Sequence, residues 1–215
     1  VLKKLNKILV ETKDTEGEVQ AASRRRWMEQ IRAWQHEHPF SYAASDTEIK
    51  PQMVVQEIDR LSQGRAIVCS DVGQHQMWAA QYIRFNQPRL WLNSGGLGSM
   101  GFGLPAAIGA QLGYPDQLVF AVVGDGGFQM SLPELSTLAS YGLPVKIVVM
   151  NNGYLGMVRQ WQELFHNRRY SAVELDCFPD AEKLAAAYNL KGRTIDQPRQ
   201  FGDALREALD EPGPY

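Results

Sequence analysis

Cysteine, long apolar runs and an excess of charge of either sign are scarce in this sequence. Its two cysteines, Cys69 and Cys177, lie far apart and show no Cys-x-x-Cys spacing. We therefore predict neither a disulfide framework nor a zinc site. No apolar stretch approaches the roughly 18 residues that a membrane span needs, and the amino terminus lacks the charged-then-apolar pattern of a signal peptide. We expect a cytoplasmic protein without a membrane partner.

Acidic and basic residues are nearly balanced. The 22 Lys and Arg residues against 24 Asp and Glu residues give a formal net charge of -2 at pH 7. The triplet Arg24-Arg25-Arg26 is the only compact cationic run, and an exposed helix surface is its ordinary setting. We therefore expect no nucleic-acid partner. With 215 residues, 44% of them hydrophobic, the chain is long enough for one large domain with its own core.

The two ends of the sequence favour a piece of a longer protein. Val1 is not an initiator Met, and residues 211–215 look like a turn before a further strand. Residues 1–50 contain an apolar-periodic stretch, a polar run over 11–18 and one helix, so we expect the tail of a preceding central domain and a helical linker. The main domain is expected over residues 51–215, truncated at its carboxyl terminus.

From Ala66 onward, short apolar runs alternate with helical patterns, which predicts an α/β fold. Continuously apolar strands are what a parallel sheet covered on both faces requires. We therefore predict a doubly wound, mainly parallel sheet flanked by helices. The predicted strands are 66–69, 90–92, 118–123, 145–150 and a weak one at 190–195, and the predicted helices are 76–83, 104–112, 132–141, 157–165, 181–188 and 201–209.

The residues that follow two successive strands indicate a metal and phosphate site. One strand ends in Gly124-Asp125-Gly126-Gly127 and the next in Asn151-Asn152-Gly153. A helix between parallel strands returns the chain to the same edge, so Asp125 and Asn152 should meet there. A carboxylate and an amide oxygen, too few to enclose a cation, suit a Mg²⁺ ion that also binds phosphate oxygens and water. The glycines would let a diphosphate approach the backbone.

Each of these residues also has a commoner structural use. Asp125 can cap a helix or form an Asx-turn, and Asn151-Asn152 can form a turn. Taken singly, the structural interpretation is favoured for each. Their joint occurrence at the ends of two consecutive buried strands favours the metal site.

The Gly-Asp-Gly and Asn-Asn pair resembles the signature of thiamine-diphosphate enzymes. The resemblance implies that Asp125, Asn152 and the backbone carbonyl of Tyr154 hold Mg²⁺ on the cofactor's diphosphate. Segments 71–81, 94–110 and 156–162 look like acetolactate synthase. That family decarboxylates pyruvate and transfers the two-carbon unit to a second 2-keto acid, pyruvate or 2-ketobutyrate. The products, acetolactate and acetohydroxybutyrate, lead to branched-chain amino acids.

The same resemblance assigns roles to individual residues. It implies that the backbone of Gly98 accepts a hydrogen bond from the aminopyrimidine and that Met100 wedges between the two rings, which keeps the cofactor folded for catalysis. The implied cofactor-binding residues are Val72, Gly73, Gln74, His75, Gly98, Met100, Gly124, Asp125, Gly126, Gly127, Met130, Asn152, Tyr154, Leu155, Gly156 and Met157.

Met157 and Trp161 are implied to lie at the entrance to the substrate pocket, where sulfonylurea-type inhibitors bind. Without the resemblance, two apolar residues four apart on a helix would be interpreted as core. Met100 would likewise be interpreted as a core gap-filler.

Partners and further cofactors follow from the family alone. Thiamine diphosphate and Mg²⁺ are expected in this domain, and FAD in the full-length enzyme, bound mainly outside this chain. The glutamate that activates the aminopyrimidine comes from a neighbouring subunit in this family, so a homodimer or tetramer is implied. A regulatory small subunit is a further expected partner.

Other functions fit parts of the sequence. Gly96-Leu97-Gly98-Ser99-Met100-Gly101 matches the G-x-G-x-x-G fingerprint of a nicotinamide dehydrogenase. However, Asp125 lies beyond the roughly 20 residues expected for the ribose-binding acid, and Asn151-Asn152 stay unexplained. A non-catalytic domain is disfavoured because the whole cofactor set is present. Pyruvate oxidase, glyoxylate carboligase and pyruvate decarboxylase share the metal motif, but their loops around the substrate differ from Gln160-Trp161-Gln162, which favours acetolactate synthase. The Trp161 segment also favours the FAD-containing acetolactate synthase over the FAD-free catabolic one.

Overall fold

The computed structural model of this chain describes residues 2–12 and 17–215. The centre of the polar run predicted as a linker, residues 13–16, lies outside the described residues. Among the helices that are described, none is both long enough and apolar enough to cross a membrane.

The chain divides into two units, Val1–Ser41 and Tyr42–Tyr215. The apolar-periodic stretch of the first unit forms helix α1 (Leu2–Thr12), and helix α2 (Glu18–Glu37) follows it. The described side chains of both helices are mostly exposed. The first unit is therefore helical, and the predicted sheet lies in the second.

The second unit is built on a parallel sheet. Its strands are β1 (Ile67–Ser70), β2 (Trp91–Leu92), β3 (Val119–Gly124) and β4 (Lys146–Met150), and its helices are α3 (Pro51–Ser62), α4 (Gln74–Tyr82), α5 (Gly103–Gly113), α6 (Asp125–Met130), α7 (Glu134–Tyr141), α8 (Gly156–Phe165), α9 (Ala181–Ala187) and α10 (Pro198–Asp210). The strands pair in the order β2-β1-β3-β4, and every pairing is parallel. The α/β fold with a mainly parallel sheet flanked by helices is confirmed.

Both faces of the sheet are buried, which explains why its strands are apolar without interruption. Side chains alternate across a strand. Val119, Ala121 and Val123 pack in one cluster with residues of α5 and α7. Phe120 and Val122 pack in a second cluster with residues of α3, α4 and α10. A polar side chain on either face of β3 would enter a core, where it would need a partner.

The strand order places a crevice at the carboxyl ends of β1 and β3. The chain runs from β1 outward to β2 on one side, and from β3 outward to β4 on the other. The loops that leave the two central strands therefore diverge, and such a switch point is where ligands bind in doubly wound sheets. β3 and β4 end level, since Gly124 is in register with Met150, whereas β1 ends opposite Val122, where Ser70 is in register.

The strand predicted over residues 190–195 is wrong. These residues have no regular secondary structure. The outer edge of β4 is bonded instead to Tyr215, whose amide donates to the Val145 carbonyl at 3.2 Å and whose carbonyl accepts from the Ile147 amide at 2.7 Å. With that edge occupied, Leu190 packs against a core cluster beneath the sheet.

Candidate functional site

A cavity of about 570 Å³ opens at the carboxyl ends of the strands and continues along β4. The predicted site residues that line it are Val72, Gly73, Gln74, His75, Gly98, Met100, Gly124, Asp125, Gly126, Gly127, Asn152, Tyr154, Leu155, Gly156 and Met157. Two predicted residues, Met130 and Trp161, are not part of this lining. The lining therefore gathers segments that are widely separated in sequence at one end of the sheet.

Asp125 connects the end of β3 with the loop after β4. It is 2% exposed. One carboxylate oxygen accepts from the Gly126 amide at 2.8 Å, and the other accepts from the Gly153 amide at 2.8 Å. The second bond brings Asp125 to the residue beside Asn152, because the ends of adjacent parallel strands lie at one edge. Backbone amides thus hold the carboxylate in place and leave its remaining lone pairs available.

The loop after β4 offers oxygen ligands of a different kind. Asn152 is exposed, and its Oδ1 accepts from the Tyr154 amide at 3.0 Å. The ring of Tyr154 lies under the guanidinium of Arg159, 3.9 Å from the ring centroid. The Tyr154 side chain therefore has its own partner. Within residues 2–12 and 17–215, no group of three or more His, Cys, Asp or Glu side chains is arranged so that it could hold a metal ion, so a cation at Asp125 would depend on amide and carbonyl oxygens.

A pair of glutamines joins α4 to α8 beside this loop. The Gln74 amide nitrogen donates to Gln160 Oε1 at 2.8 Å. A Cβ added at Gly156 would collide with Gln74 Oε1 and would come within 2.9 Å of Asn152 Nδ2. Gly156 is therefore needed for the close approach of the two segments, which explains a glycine at the first position of α8.

His75 is buried under the crevice between β1 and β3. A Cβ at Gly73 would lie 2.8 Å from its ring, and a Cβ at Gly124 would lie 3.0 Å from it. Burial lowers the pKa of His75, against the opposing charges of Asp71 and Asp125, so the ring is neutral at pH 7. A hydrogen bond to the Asp71 backbone also opposes this shift. Its Nε2 is buried and has no hydrogen-bond partner among the residues that the structure describes.

Asp71 is a buried carboxylate that follows β1, and its side chain is fully enclosed. Its Oδ1 accepts from the Val72 amide at 2.6 Å and from the Gly101 amide at 3.0 Å, and its Oδ2 accepts from the Gly103 amide at 3.0 Å. A Cβ at Gly127 would lie 2.7 Å from Oδ1. This carboxylate therefore contacts the segments that follow β1, β2 and β3.

The segment that carries Met100 is a glycine-rich turn between β2 and α5. Gly98 and Gly101 have φ angles of 60° and 83°, which glycine adopts without the strain a side chain would cause. Gly98 is exposed and Met100 is half-buried. Met130, at the end of α6, approaches this turn: its Cβ is 3.2 Å from the position a Cβ at Gly101 would occupy.

Three apolar side chains meet over Gly126. A Cβ at this glycine would lie 2.9 Å from Leu155, 3.2 Å from Leu175 and 3.4 Å from the Met100 methyl group. Leu175 is held there because its amide donates to the Gly153 carbonyl at 2.8 Å. The cluster gives the carboxyl end of β3 an apolar wall beside the polar residues of the metal loop.

Helix α8 carries both of the residues that are predicted at a pocket entrance, but their surroundings differ. Met157 lines the cavity, whereas Trp161 is 55% exposed and stacks on Phe165 with ring centroids 4.9 Å apart. Trp161 lies in a separate shallow groove, with Val158 and Arg169 among its neighbours. Trp161 is thus a surface residue in this chain and not part of the core, and its role at an entrance stays a prediction.

Asp71, Gln160 and Leu175 are contacts that the sequence did not assign. The position of Asp71 was a usable signal, because it directly follows a buried strand as Asp125 does. Gln160 and Leu175 gave no such signal. Their roles depend on contacts with Gln74 and Gly126, which are distant in sequence.

Comparison with known proteins identifies relatives over most of the chain. The family described as "Thiamine pyrophosphate enzyme, C-terminal TPP binding domain" matches residues 71–215. The chain is 47% identical over 187 residues to acetolactate synthase isozyme 3 large subunit of Escherichia coli (strain K12), covering 87% of this chain and 33% of that protein. It is 45% identical over 187 residues to the acetolactate synthase large subunit of Lactococcus lactis subsp. lactis (strain IL1403), covering 86% of this chain and 32% of that protein.

A plant protein is similar over the same region. The chain is 43% identical over 196 residues to acetolactate synthase 1, chloroplastic, of Nicotiana tabacum, covering 88% of this chain and 29% of that protein. The chain spans about a third of the length of the curated relatives it matches.

Proposed function

We propose that this chain holds the diphosphate end of the cofactor in the crevice between β1 and β3, because it belongs to the family of thiamine pyrophosphate enzymes as their C-terminal TPP binding domain. Thiamine pyrophosphate and thiamine diphosphate are two names for one cofactor. The position follows the general rule for doubly wound sheets.

The residues of the crevice fit a diphosphate. His75 Nε2 is buried without a partner among the described residues, and such an atom normally has one. The ring lies between Gly73 and Gly124, where side chains would fill the space next to it. This unpartnered nitrogen on the cavity wall is the observation that carries the proposal, because a diphosphate beside it would favour the protonated ring, whose Nε2 then donates to a phosphate oxygen.

The oxygen atoms of the crevice also fit Mg²⁺. Asp125, Asn152 Oδ1 and the Tyr154 carbonyl would hold the ion against the diphosphate. They are hard oxygen ligands, and they are too few to complete an octahedron without phosphate oxygens and water. The bond from the Gly153 amide to Asp125 fixes the two ligand loops relative to each other at 2.8 Å.

Thiamine diphosphate, when bound, supplies an electron sink for decarboxylation. The chain's own residues position it: the backbone of Gly98 would accept from the aminopyrimidine, and Met100 would separate the two rings. The apolar wall of Leu155, Leu175 and Met100 would exclude water from the side of β3.

For the protein of which this domain is a part, we propose acetolactate synthesis from two molecules of pyruvate, and acetohydroxybutyrate synthesis from pyruvate and 2-ketobutyrate. The names of the relatives support this activity, and the words "large subunit" in two of them support a regulatory small subunit as a partner. FAD bound mainly outside this domain, a homodimer or tetramer, and a cytoplasmic location belong to the same proposal.

Calorimetric titration of the chain with thiamine diphosphate tests the cofactor site. We expect saturable binding that needs Mg²⁺, and much weaker binding of thiamine, which lacks the diphosphate. A parallel titration with NADH, followed by fluorescence, tests the dehydrogenase alternative. Binding of NADH together with no response to thiamine diphosphate would contradict the proposal.

A further inference from the structure

We propose that Asp71 is a positioning residue that sets the Met100 turn against the diphosphate end of the site. The inference rests on the proposed function for the identity of the ligand. The hydrogen bonds themselves do not depend on it. Asp71 is fully buried, yet its carboxylate has backbone amides from two different loops as partners.

The bonds to Asp71 hold the turn that carries Met100 at two points. The Gly101 and Gly103 amides flank the start of α5, and each donates to a different oxygen of Asp71 at 3.0 Å. Met100 is the residue directly before Gly101. Because charge-assisted bonds to a buried carboxylate are stronger than neutral ones, this turn is fastened to the end of β1 on both sides of Phe102.

The backbone around Asp71 is closely packed. A Cβ at Gly127 would lie 2.7 Å from Asp71 Oδ1, and a Cβ at Gly103 would lie 2.7 Å from the Asp71 amide nitrogen. The Asp71 backbone also forms a hydrogen bond with His75. Asp71 therefore lies beneath the three segments that would contact the cofactor, with no side chain between them.

Only a carboxylate can accept all of these bonds at once. Two oxygens that only accept can serve all three amides, whereas an asparagine has one acceptor oxygen and an NH₂ group. In Asp71→Asn that NH₂ group faces an amide N–H that also donates. At least one of Gly101 and Gly103 must lose its partner, although the side chain keeps its shape and the backbone bond to His75 remains.

Amide hydrogen exchange in the cofactor-free chain measures this directly. Asp71→Asn should speed exchange at Gly101 or Gly103 by about tenfold to a hundredfold, the change expected when a bond to a charged group is lost. Asp59→Asn is the matched control, since Asp59 is a buried carboxylate bonded to Arg84 away from the crevice. It should leave both amides unchanged.

Ligand binding gives an independent measurement. Asp71→Asn should weaken thiamine diphosphate binding by about tenfold or more, because the Met100 turn is loosened. Binding of inorganic pyrophosphate with Mg²⁺ should weaken by less than about threefold, since Asp125 and His75 are retained. An equal loss for both ligands, with faster exchange throughout the sheet, would show a purely structural role and overturn the inference.

The unsubstituted chain keeps the inference testable if the variant fails to fold. Its Gly101 and Gly103 amides should then exchange as slowly as the amides of β3, whereas exchange at the rate of an unprotected amide in the unfolded chain would overturn the inference. If the unsubstituted chain binds pyrophosphate but not thiamine diphosphate, the proposed function fails, and the exchange rates alone decide the role of Asp71.

Discussion

At single positions, the site depends on buried polar atoms whose partners are backbone amides. Asp71 and Asp125 are both almost completely enclosed, and both accept hydrogen bonds from loops of other segments. Burying a carboxylate is costly unless such bonds compensate it. Two carboxylates at one end of a sheet also favour a cation there, which agrees with the proposed Mg²⁺ site.

Asp125→Ala should abolish Mg²⁺-dependent thiamine diphosphate binding, with at least about a hundredfold loss of affinity, while the fold is retained. The variant removes a charged metal ligand and the acceptor of the Gly153 amide, so the ion and the loop after β4 lose their link. Calorimetric titration with and without Mg²⁺ measures the loss. Asp116→Ala, an exposed aspartate in the α5–β3 connection, is the control. Unchanged affinity in Asp125→Ala would rule out the metal assignment.

His75 should give the cofactor-free chain a measurable pH dependence. Burial lowers its pKa, with Asp71 and Asp125 as the opposing charges that face it. Between that lowered pKa and 6.5, the unfolded chain binds a proton that the folded chain does not, so stability rises with pH there and falls as pH drops below 6.5.

His75→Gln should remove this contribution, which amounts to a slope of up to about 1.4 kcal/mol per pH unit. Urea unfolding between about pH 5 and about pH 7 measures the slope. His36→Gln, an exposed histidine in α2, should keep the slope of the unsubstituted chain. If the His75 and His36 variants lose stability equally in acid, the ring is not buried in its neutral form.

The sequence predicted which candidate residues meet at the end of the sheet, but not the hydrogen bonds that connect them. Asp125 and Asn152 were predictable because each follows a buried strand, and parallel strands bring their ends together. Asp71 satisfies the same rule. Its bonds to Gly101 and Gly103, however, depend on how the turn before α5 folds back over β1, and no local pattern encodes that geometry.

Among the helices, α8 lines the cavity at its amino-terminal end and exposes apolar side chains further along. Gly156 and Met157 face the cavity, whereas Trp161 and Phe165 are exposed and lie outside its lining. Trp161→Leu should therefore change the free energy of unfolding by less than about 1 kcal/mol, because its indole is mostly in solvent.

In the complete enzyme, Trp161→Leu should weaken inhibition by sulfonylureas about tenfold or more and lower turnover by less than about threefold. A flat aromatic contact matters more to a large planar ligand than to pyruvate. Inhibition and steady-state assays on the same preparation measure the two effects. Phe165→Leu, the stacking partner, is the matched variant. Equal losses of inhibition and turnover in Trp161→Leu would contradict a role in ligand access.

Strand β4 and the carboxyl-terminal segment are joined by one buried lysine. Lys146 is 3% exposed, and its ammonium donates to the Glu211 carbonyl at 2.6 Å and the Gly213 carbonyl at 2.8 Å. Lys146→Met should lower the free energy of unfolding by about 2 kcal/mol, since two carbonyls lose a charged donor. Denaturant titration measures this. Lys191→Met, which removes only an exposed partner of Glu211, should lower the free energy of unfolding by less than about 1 kcal/mol. A similar loss in the two variants would disprove the role of Lys146 in linking β4 to the carboxyl-terminal segment.

A strand was easier to predict from the sequence when both of its faces are buried. β3 lies in the middle of the sheet, and its uninterrupted apolar run appears plainly in the sequence. The stretch 190–195 is only partly apolar, with Lys191 and Arg193 inside it, and the place beside β4 is taken by Tyr215. Which segment pairs with an edge is decided by competition in the folded state, so composition alone predicted it wrongly.

For the chain taken together, two apolar clusters on opposite faces of the sheet should suffice for folding. We expect the isolated chain to fold but to form no acetolactate with saturating thiamine diphosphate, Mg²⁺ and pyruvate. The chain spans about a third of its relatives, and the activating glutamate is expected on a neighbouring subunit.

Circular dichroism and a colorimetric acetolactate assay test this pair of expectations. The informative control adds the remaining part of the enzyme as a separate protein, which should restore activity. Rapid acetolactate formation by the isolated chain would contradict the proposed division of the active site between subunits.

The pairing of β1 with β3 also determines at what stage of folding the crevice forms. Cys69 lies in register with Ala121, so the loop after β1 and the loop after β3 become neighbours only after a long crossover has closed. Parallel pairing of this kind cannot start from a local hairpin and forms slowly. A ligand that needs both loops finds no binding site before that step, so it cannot accelerate folding. A bound ligand instead slows unfolding, so the chain with cofactor bound should unfold more slowly than the free chain.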